Sequence, residues 1–487
     1  MSAARRRKRH AKRVRSPEGA ALTMEPQSLA QLADFAGAPR PGSGSNLSIT
    51  NLSTDSRSIA PGALFVALRG ENFDGHKFVQ QAMQRGAAGA LVESKWTGKT
   101  SPEFPLLRVP NTLVAYQQIA ANYRRSLGIK VVAITGSNGK TSTKDFAASV
   151  LARRFRVAKT KGNLNNHVGL PRTMLEATGR DEVGVWEIGM NHPGEIAPLA
   201  QLAQPDVAII TNIGIAHLEF MHTRDAIAQE KGELATALQA SGTLILNSND
   251  EFAEIIARRT TARVVHTGIG RGELQAEEIV QTAEGAEFTI LEGAHHCHAV
   301  LPVPGTHMVQ NALLAIAAGR VFGLSLEECA AGLASAPVSQ ARLQIKQIHG
   351  VHFIDDSYNA NPDSTKAALH TLAELETDGR RIAVLGQMAE LGAESSKGHR
   401  EVGETAASLG IDQLISLGEG SAEIAQAAAA AGLSDSRTVS TAADAASLLH
   451  ETARPGDIVL IKGSRAARTE RVLEEFGQRE LEVQSTP

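Results

Sequence analysis

Apolar runs of strand length alternate with longer amphipathic segments through the middle of the chain. The runs at 131–135, 183–188, 207–213 and 243–246 are separated by segments whose apolar residues recur at helical spacing. This alternation predicts βαβ units and a parallel sheet that helices cover on both faces. A polar, alternating stretch at 262–303 predicts a small antiparallel insert, and a helix is predicted from about 307 to 322.

Different patterns precede and follow this central part. Residues 25–107 contain strand-like runs at 63–68 and 88–92 and a helical segment at 78–85, which predict a small α/β domain. After residue 337, strands at 351–354, 382–385, 414–417 and 458–461 alternate with four helical segments. This pattern predicts a Rossmann-like doubly wound fold, although the Gly-x-Gly-x-x-Gly fingerprint is missing after its first strand. The predicted fold class is therefore α/β in three domains, at 25–107, 108–337 and 338–487.

The beginning of the chain is set apart by its charge. Eight Lys and Arg residues fall within the first fifteen positions, whereas the whole chain of 487 residues has a formal net charge of −3, so the remainder carries −11. No apolar segment follows the basic run, which therefore does not fit a secretory signal. We expect residues 1–24 to form a disordered basic tail. A body with this negative charge argues against a nucleic-acid partner.

Composition narrows the class of protein further. Hydrophobic residues make up 42% of the chain, as in globular proteins, and no stretch reaches the ~20 consecutive apolar residues of a membrane helix. Two cysteines, Cys297 and Cys329, are too few for a disulfide framework. We expect a cytoplasmic protein without membrane insertion. The run His295-His296-Cys297-His298 lacks a second ligand pair at metal-binding spacing and is interpreted as a solvated strand.

The strongest chemical signal is a glycine-rich loop directly after the apolar run at 131–135. It reads Thr135-Gly136-Ser137-Asn138-Gly139-Lys140-Thr141 and leads into a helical pattern. Backbone N–H groups of such a loop bind phosphates, while the lysine reaches the β and γ phosphates and the threonine binds Mg²⁺. Ile134 stands where the strict Walker pattern has its first glycine, so the loop is a shortened variant. Alone, it is compatible with a GTPase switch, a transporter, a kinase or a ligase.

Three further polar positions of the central part could act with this loop. Glu187 ends one apolar run, His217 follows another, and Lys231 lies in a charged helical segment. Ligands bind at the carboxyl ends of parallel strands, where the first two residues are expected. Taken singly, each residue also fits a structural role as a strand-end carboxylate, a loop histidine or part of a solvated helix face.

Further motifs occur in a fixed order along the chain. They are Gly162-Asn163-Leu164-Asn165-Asn166, the segment 187–192, Asp355-Asp356-Ser357-Tyr358-Asn359-Ala360-Asn361-Pro362, Met388-Ala389-Glu390-Leu391-Gly392 and Lys462-Gly463-Ser464-Arg465. Together with the 135–141 loop they resemble the Mur ligase family of peptidoglycan synthesis, over about residues 25–480. The resemblance is closest to the branch that adds D-alanyl-D-alanine.

The resemblance implies an ATP-dependent amide ligase. The terminal carboxylate of a UDP-N-acetylmuramoyl-tripeptide would attack the γ-phosphate of ATP, and the amine of D-Ala-D-Ala would attack the resulting acyl phosphate to give the pentapeptide. A UDP-substrate-binding domain, a central ATP-binding domain and a C-terminal ligase domain are implied, with ATP and Mg²⁺ as cofactors. Because the first step brings one anion to another, cations must surround the transferred phosphoryl group.

The resemblance also implies roles for individual residues. The catalytic set is Lys140, Glu187, His217, Lys231 as a carbamylated lysine, and Arg342. The Mg²⁺ ligands are Thr141, Glu187, His217 and Lys231. ATP would be bound by Thr135, Gly136, Ser137, Asn138, Gly139, Lys140, Thr141 and Ser142, with Asn311 at the adenine and Arg342 and Asp356 from the third domain. The substrate contacts are Thr54, Asp55, Ser56 and Arg57 for UDP, Asn163, Asn165 and Asn166 for the muramoyl peptide, and Tyr358, Asn359 and Asn361 for the dipeptide.

Two positions depart from the family pattern, and two other functions stay open. Ala341 replaces the usual glycine before Arg342, and Gln387 replaces the aspartate that often precedes the motif at 388–392. A sibling ligase that adds diaminopimelate or lysine is one alternative, although its Asp-Asn-Pro-Arg signature is missing from the chain. A non-ligase P-loop switch protein is the other. We expect a monomer, and the identity of the tripeptide's third residue stays open.

Overall fold

The computed structural model describes residues 24–282 and 284–483 and divides after Tyr123 into two compact units. The boundary falls inside helix α3 (Thr112–Leu127). The predicted basic tail lies outside the described residues except for Met24, which is buried and whose N–H donates to the Thr50 carbonyl at 2.8 Å. Among the described residues, no helix is both long and apolar enough to cross a bilayer.

The first unit is the predicted small α/β fold. A parallel sheet with the strand order Leu52–Ser53, Leu64–Val66, Gly89–Glu93 and Leu106–Val109 carries a core that includes Phe65, Val79 and Val92. The predicted helix at 78–85 is confirmed, and the strand expected at 63–68 is shorter. The elements are β1 (Gln27–Ser28), α1 (Leu29–Ala36), β2 (Ser48–Ile49), β3 (Leu52–Ser53), β4 (Leu64–Val66), β5 (Arg69–Gly70), β6 (Phe73–Asp74), α2 (Val79–Gln84), β7 (Gly89–Glu93) and β8 (Leu106–Val109).

The second unit begins with the predicted βαβ succession. Its strands are β9 (Lys130–Thr135), β10 (Val157–Lys159), β11 (Val183–Glu187), β12 (Val207–Ile210), β13 (Thr243–Asn247), β14 (Arg263–Ile269), β15 (Leu274–Thr282), β16 (Gly285–Glu292) and β17 (His295–Leu301). Its helices are α4 (Lys140–Leu151), α5 (Gly169–Leu175), α6 (Ile196–Ala203), α7 (Leu218–Met221), α8 (Arg224–Thr236), α9 (Ala253–Ala257), α10 (Thr306–Val321) and α11 (Leu326–Ala334).

These strands form one nine-stranded sheet in the order β10-β11-β9-β12-β13-β14-β15-β16-β17. The inner strands β9, β11, β12 and β13 are apolar except at their ends, because both faces of this parallel part of the sheet are buried. The antiparallel prediction is correct for the β15–β16–β17 meander but wrong for β14, which pairs in parallel with β13. Strand β17 forms one edge of the sheet, and His295, His296 and His298 on it are exposed, as predicted for a solvated strand.

The C-terminal part of the second unit is the predicted doubly wound fold. Its elements are β18 (Gln344–Ile348), β19 (Val351–Asp356), α12 (Pro362–Glu374), β20 (Arg381–Gly386), α13 (Ser395–Ser408), β21 (Gln413–Leu417), α14 (Ala422–Ala430), β22 (Ser436–Val439), α15 (Ala442–Thr452), β23 (Ile458–Lys462) and α16 (Glu470–Val483). The sheet order is β18-β19-β23-β20-β21-β22, and only β18 is antiparallel to its neighbour.

One continuous hydrophobic core joins the two sheets of the second unit. It runs from Val132 and Ile134 on β9 to Ile354 on β19 and Leu460 on β23. A separate cluster, which includes Phe353 and Phe476, covers the other face of the C-terminal sheet. The shared core brings the carboxyl ends of β9, β11 and β12 within reach of side chains from the C-terminal part.

Candidate active site

The glycine-rich loop lies between the end of β9 and the first turn of α4. Gly139 caps the helix with φ of 78°, and a Cβ atom there would lie 2.4 Å from Oδ1 of Asn311. Only glycine fits this position, because the backbone is left-handed and the buried Asn311 amide packs directly against it. Lys140 Nζ donates to the carbonyls of Gly136 at 2.7 Å and Ser137 at 3.2 Å, so the lysine folds back over the loop.

The loop that follows β12 holds the glycine-rich loop from one side. Asn212 Oδ1 accepts from the N–H of Asn138 at 2.9 Å, and Thr211 Oγ1 donates to the Asn138 carbonyl at 2.5 Å. Ser137 Oγ accepts from the N–H of Gly214 at 2.9 Å. These bonds hold the backbone of the glycine-rich loop against the loop that follows β12.

Glu187 ends β11 beside this loop, as its position in the sequence predicts. Its Oε2 accepts from Thr141 Oγ1 at 2.8 Å and its Oε1 accepts from Asn165 Nδ2 at 2.7 Å. The carboxylate is buried, and its own N–H donates to Thr160 Oγ1 at 3.0 Å. The structure therefore brings two predicted residues, Thr141 and Asn165, to the buried carboxylate of a third.

Arg342 reaches the same threonine from the C-terminal part of the unit. Its Nη2 donates to Thr141 Oγ1 at 3.1 Å, and its guanidinium lies 4.3 Å from the centre of the Tyr358 ring. Ala341 and Leu343 on either side have φ of 55° and 52°. Non-glycine residues are strained in this region, and the position of Ala341 is where the family pattern has glycine.

Asp356 ends β19 and is paired with a lysine that belongs to a recognised motif but had no predicted role. Lys462, at the end of the neighbouring strand β23, is buried, donates to Asp356 and donates to the Asn359 carbonyl at 3.0 Å. Burial raises the pKa of the Asp356 carboxyl, while the charges of Lys462 and Arg342 act in the opposite direction. The exposed side chain of Asn359 is left available for a ligand.

His217 and Lys231, the other predicted metal ligands, have different surroundings. His217 has φ of 63° and pairs through Nδ1 with Glu390 Oε2 at 2.6 Å. Lys231, on α8, is 0% exposed, and its Nζ has no hydrogen-bond partner among the residues that the structure describes. Burial, followed by the charge of Lys140, holds the pKa of Lys231 well below its ordinary value.

Lys140 has a lowered pKa as well. Burial is the main cause; the Arg342 charge adds to it, and the Glu187 charge acts in the opposite direction. Two lysines whose charged forms are disfavoured thus lie near one another in a region that also holds Arg342 and a buried carboxylate. Such a cluster is suited to receive a ligand that carries several negative charges, since the ligand would restore the charge balance.

The side chains of the site carry donor atoms that suit a divalent cation. Among the described residues there is no group of three or more His, Cys, Asp or Glu side chains arranged for a metal ion. The predicted set falls outside that class, because it combines Glu187 and His217 with a hydroxyl and a lysine. The Glu187 carboxylate and the Thr141 hydroxyl supply the oxygen ligands that Mg²⁺ prefers. The Lys231 amine, which has no hydrogen-bond partner among the described residues, could supply a further oxygen ligand only after chemical modification.

The asparagines expected to bind the muramoyl peptide are partly occupied in the fold. Asn165 donates to Glu187, and Asn166 Oδ1 accepts from the N–H groups of Val168 and Gly169 at the start of α5. Asn163 is exposed. Asn165 and the side-chain oxygen of Asn166 therefore position Glu187 and α5, whereas Asn163 and Asn166 are both exposed and can meet a ligand.

In the first unit, the segment 54–57 forms a turn after β3. Ser56 is buried and its Oγ donates to Gln81 Oε1 at 2.8 Å. Arg57 is 78% exposed in its side chain and pairs with Asp55 at 2.6 Å. Arg57 and Thr54 can meet an anionic ligand from solvent, while Ser56 is committed to the fold.

Four residues of the site were not selected from the sequence. Asn212, Asp363, Glu390 and Lys462 all contact predicted residues or their loops. Glu390 and Lys462 belong to recognised motifs, and this membership is the sequence signal that could have identified them as site residues. Asn212 and Asp363 are neighbours of recognised residues, and only the fold shows what they contact.

Comparisons with known proteins agree with this geometry. Family models match three successive regions, described as "Mur ligase family, catalytic domain" over 48–132, "Mur ligase middle domain" over 134–319 and "Mur ligase, glutamate ligase domain" over 341–465. Curated relatives named UDP-N-acetylmuramoyl-tripeptide--D-alanyl-D-alanine ligase include one from Bacillus subtilis, 38% identical over 88% of this chain and 93% of its own. The Escherichia coli relative of that name is 37% identical over 88% and 94%.

Solved structures give the same picture for the fold. MurF from Acinetobacter baumannii superposes with a TM-score of 0.85 at 33% identity, covering 94% of this chain and all of its own. MurF ligase from Thermotoga maritima, solved in complex with ADP, gives 0.79 at 28% identity, covering 89% and 98%.

Proposed function

Because the chain belongs to the Mur ligase family, we infer that it is the ATP-dependent ligase that joins D-alanyl-D-alanine to a UDP-N-acetylmuramoyl-tripeptide. The product is the UDP-linked pentapeptide of peptidoglycan synthesis. One observation carries the chemistry: Arg342 from the C-terminal part and the Glu187 carboxylate both bond to the Thr141 hydroxyl of the glycine-rich loop. A cation from the C-terminal part and a carboxylate from the central part thus meet at the place where ATP is expected.

The reaction needs positive charge at the transferred phosphoryl group. The tripeptide carboxylate attacks the γ-phosphorus of ATP, and the bond between the γ-phosphorus and the oxygen that bridges to the β-phosphate breaks. ADP departs, and the tripeptide becomes an acyl phosphate. The amine of the dipeptide then attacks the acyl carbon, an amide forms, and phosphate and a proton are released. Lys140 and Arg342 are placed to offset the charge of two anions that approach each other.

Mg²⁺ would be held by Glu187 and Thr141, with His217 and Lys231 completing the set. When bound, the ion supplies further positive charge at the phosphates. Lys231 needs a chemical change before it can contribute, since an ammonium repels a cation. Its lowered pKa favours the neutral amine, whose nitrogen would bond to the carbon of CO₂ and release a proton to give a carbamate anion with oxygen donors. We propose this modification for Lys231.

Other residues receive their roles from the same proposal. Asn311, packed against Gly139, would contact the adenine, and Asp356 would lie near the nucleotide with Lys462 as its partner. Thr54 and Arg57 would contact UDP, and Asn163 the muramoyl peptide. Tyr358 and Asn359 would contact the dipeptide. The proposed domains are 25–107, 108–337 and 338–487.

Product formation with defined amines tests the function. The protein is incubated with ATP, Mg²⁺, UDP-N-acetylmuramoyl-tripeptide and one amine, and phosphate release is measured alongside the mass of the product. We expect release only with a D,D-dipeptide, and a product heavier by that dipeptide less water. Phosphate release when the UDP-N-acetylmuramoyl-dipeptide replaces the tripeptide and diaminopimelate or lysine is the amine would identify the sibling ligase. ATP hydrolysis independent of any amine would support the switch protein.

A further inference from the structure

The first turn of α12 contacts the glycine-rich loop directly. Asn361 is the N-cap of this helix, and its Oδ1 accepts from the N–H of Ser364 at 2.9 Å. An N-cap uses only the side-chain oxygen, so the amide nitrogen is left to donate elsewhere. Here Asn361 Nδ2 donates to Asn138 Oδ1 at 2.8 Å, and Asn361 is 8% exposed.

Asn138 is the residue of the loop that receives this bond. Asn212 and Thr211 from the loop after β12 hold its backbone from one side, and the bond from Asn361 adds a side-chain restraint from the C-terminal part. Asn138 lies directly before Gly139, whose left-handed backbone orients the N–H groups that begin α4. A restraint on Asn138 therefore acts on the phosphate-binding backbone.

A second residue of the same helix turn supports the contact. Asp363 Oδ2 accepts from the N–H of Ile215 at 2.9 Å and packs against Gly214, where a Cβ atom would lie 2.3 Å from it. Gly214 in turn bonds to Ser137 of the glycine-rich loop. Asn361 thus bonds to the glycine-rich loop directly, and Asp363 acts on it through the loop after β12.

We propose that Asn361 is a positioning residue that orders the phosphate-binding loop from the C-terminal part of the chain. The loop then reaches its nucleotide-binding arrangement only when α12 is docked against it, which links ATP use to the position of the part that carries Arg342. This inference rests on the proposed function in that it assumes ATP at the loop. It differs from a direct contact between Asn361 and the dipeptide, which the family resemblance implies.

The test separates the bond to Asn138 from the capping of α12. Asn361→Ser keeps a good N-cap, but its hydroxyl is too short to reach Asn138. Ser364→Ala is the matched control, because it removes the other half of the capping box, where Ser364 Oγ accepts from the N–H of Asn361 at 3.1 Å, and leaves the Asn361 amide in place. Asn138→Ala removes the acceptor.

Two measurements are made on the full chain. Hydrogen exchange at residues 136–141, without nucleotide and with ADP, should be about tenfold faster in Asn361→Ser and unchanged in Ser364→Ala. In the ligase assay, kcat should fall about tenfold in Asn361→Ser while the KM for D-Ala-D-Ala stays within twofold. The double variant Asn138→Ala, Asn361→Ser should be no slower than Asn138→Ala alone.

Three results would overturn the proposal. Loop exchange in Asn361→Ser equal to the parent would show that the bond orders nothing. A tenfold higher KM for D-Ala-D-Ala with unchanged loop exchange would make Asn361 a substrate contact. Equal effects of Ser364→Ala and Asn361→Ser would assign the effect to the helix cap. If the parent releases no phosphate with D-Ala-D-Ala, the proposed function fails, and the exchange comparison still decides the role of Asn361.

Discussion

Replacing Lys231 with methionine should make the protein more stable and nearly inactive. The lysine amine is fully buried and has no hydrogen-bond partner among the described residues. A buried polar group without a partner costs about 1–3 kcal/mol. Methionine is unbranched, of similar length, and has no N–H group to satisfy, so it fills the space without that cost. We therefore expect Lys231→Met to raise the free energy of unfolding by about 1–3 kcal/mol.

The activity should change in the opposite direction. If Lys231 contributes a carbamate to the Mg²⁺ site, methionine removes a ligand, and a misplaced metal costs on the order of 10²-fold in turnover. Lys231→Arg is the matched control, since it keeps a positive charge but cannot form the carbamate. We expect it to lose activity to the same degree and, because its larger charged group enters the same buried space, to lose stability.

Urea unfolding in CO₂-depleted buffer with a chelator measures the stability of the unmodified amine. Phosphate release with saturating Mg²⁺ and added bicarbonate measures turnover. A Lys231→Met protein less stable than the parent would show that the amine is satisfied in the free protein. Turnover within twofold of the parent would remove Lys231 from the reaction.

Three further changes have expected outcomes. Ala341→Gly removes the strain of a left-handed alanine, which destabilises the folded protein by about 1–2 kcal/mol. The added conformational entropy of the unfolded chain offsets about 0.4–1 kcal/mol of this gain, so the urea midpoint should rise slightly. A lower midpoint would show that the backbone at Ala341 is not strained. Burial and the Lys462 charge lower the pKa of His307 to about 4, so the folded protein binds fewer protons than the unfolded chain between pH 4 and 6.5. Stability should fall by about 2–3 kcal/mol as the pH drops through that range, and less in His307→Gln; equal pH profiles would contradict this. A chain beginning at Met24 should keep turnover within about twofold, and a tenfold loss would give the tail a role.

The fold and part of the site could be predicted because the signals are local. Strand-length apolar runs and a glycine-rich loop between strand and helix place Lys140 and Thr141, and the rule that parallel strands end at one edge places Glu187 beside them. The parallel pairing of β14 was missed, because its polar alternation is that of a strand with one solvated face, whichever direction its partner runs.

The contacts that the sequence did not show are those between distant segments. Lys462 pairs with Asp356 only because β23 lies next to β19, and nothing in either segment specifies that neighbour. The bond from Asn361 to Asn138 likewise depends on how α12 lies against the glycine-rich loop. A short motif predicts which residue types matter, but the strand order decides which of them meet.

The central place of β23 has a consequence for how the protein is made. The strand lies between β19 and β20, yet it follows all the other described strands in sequence. A ribosome-bound chain that ends before Ile458 holds two half sheets whose facing edges have no partner, and such edges readily pair with other chains. We expect the growing chain to need chaperone protection until β23 has emerged. Because the same strand brings Lys462 to Asp356, the site is completed at that moment as well.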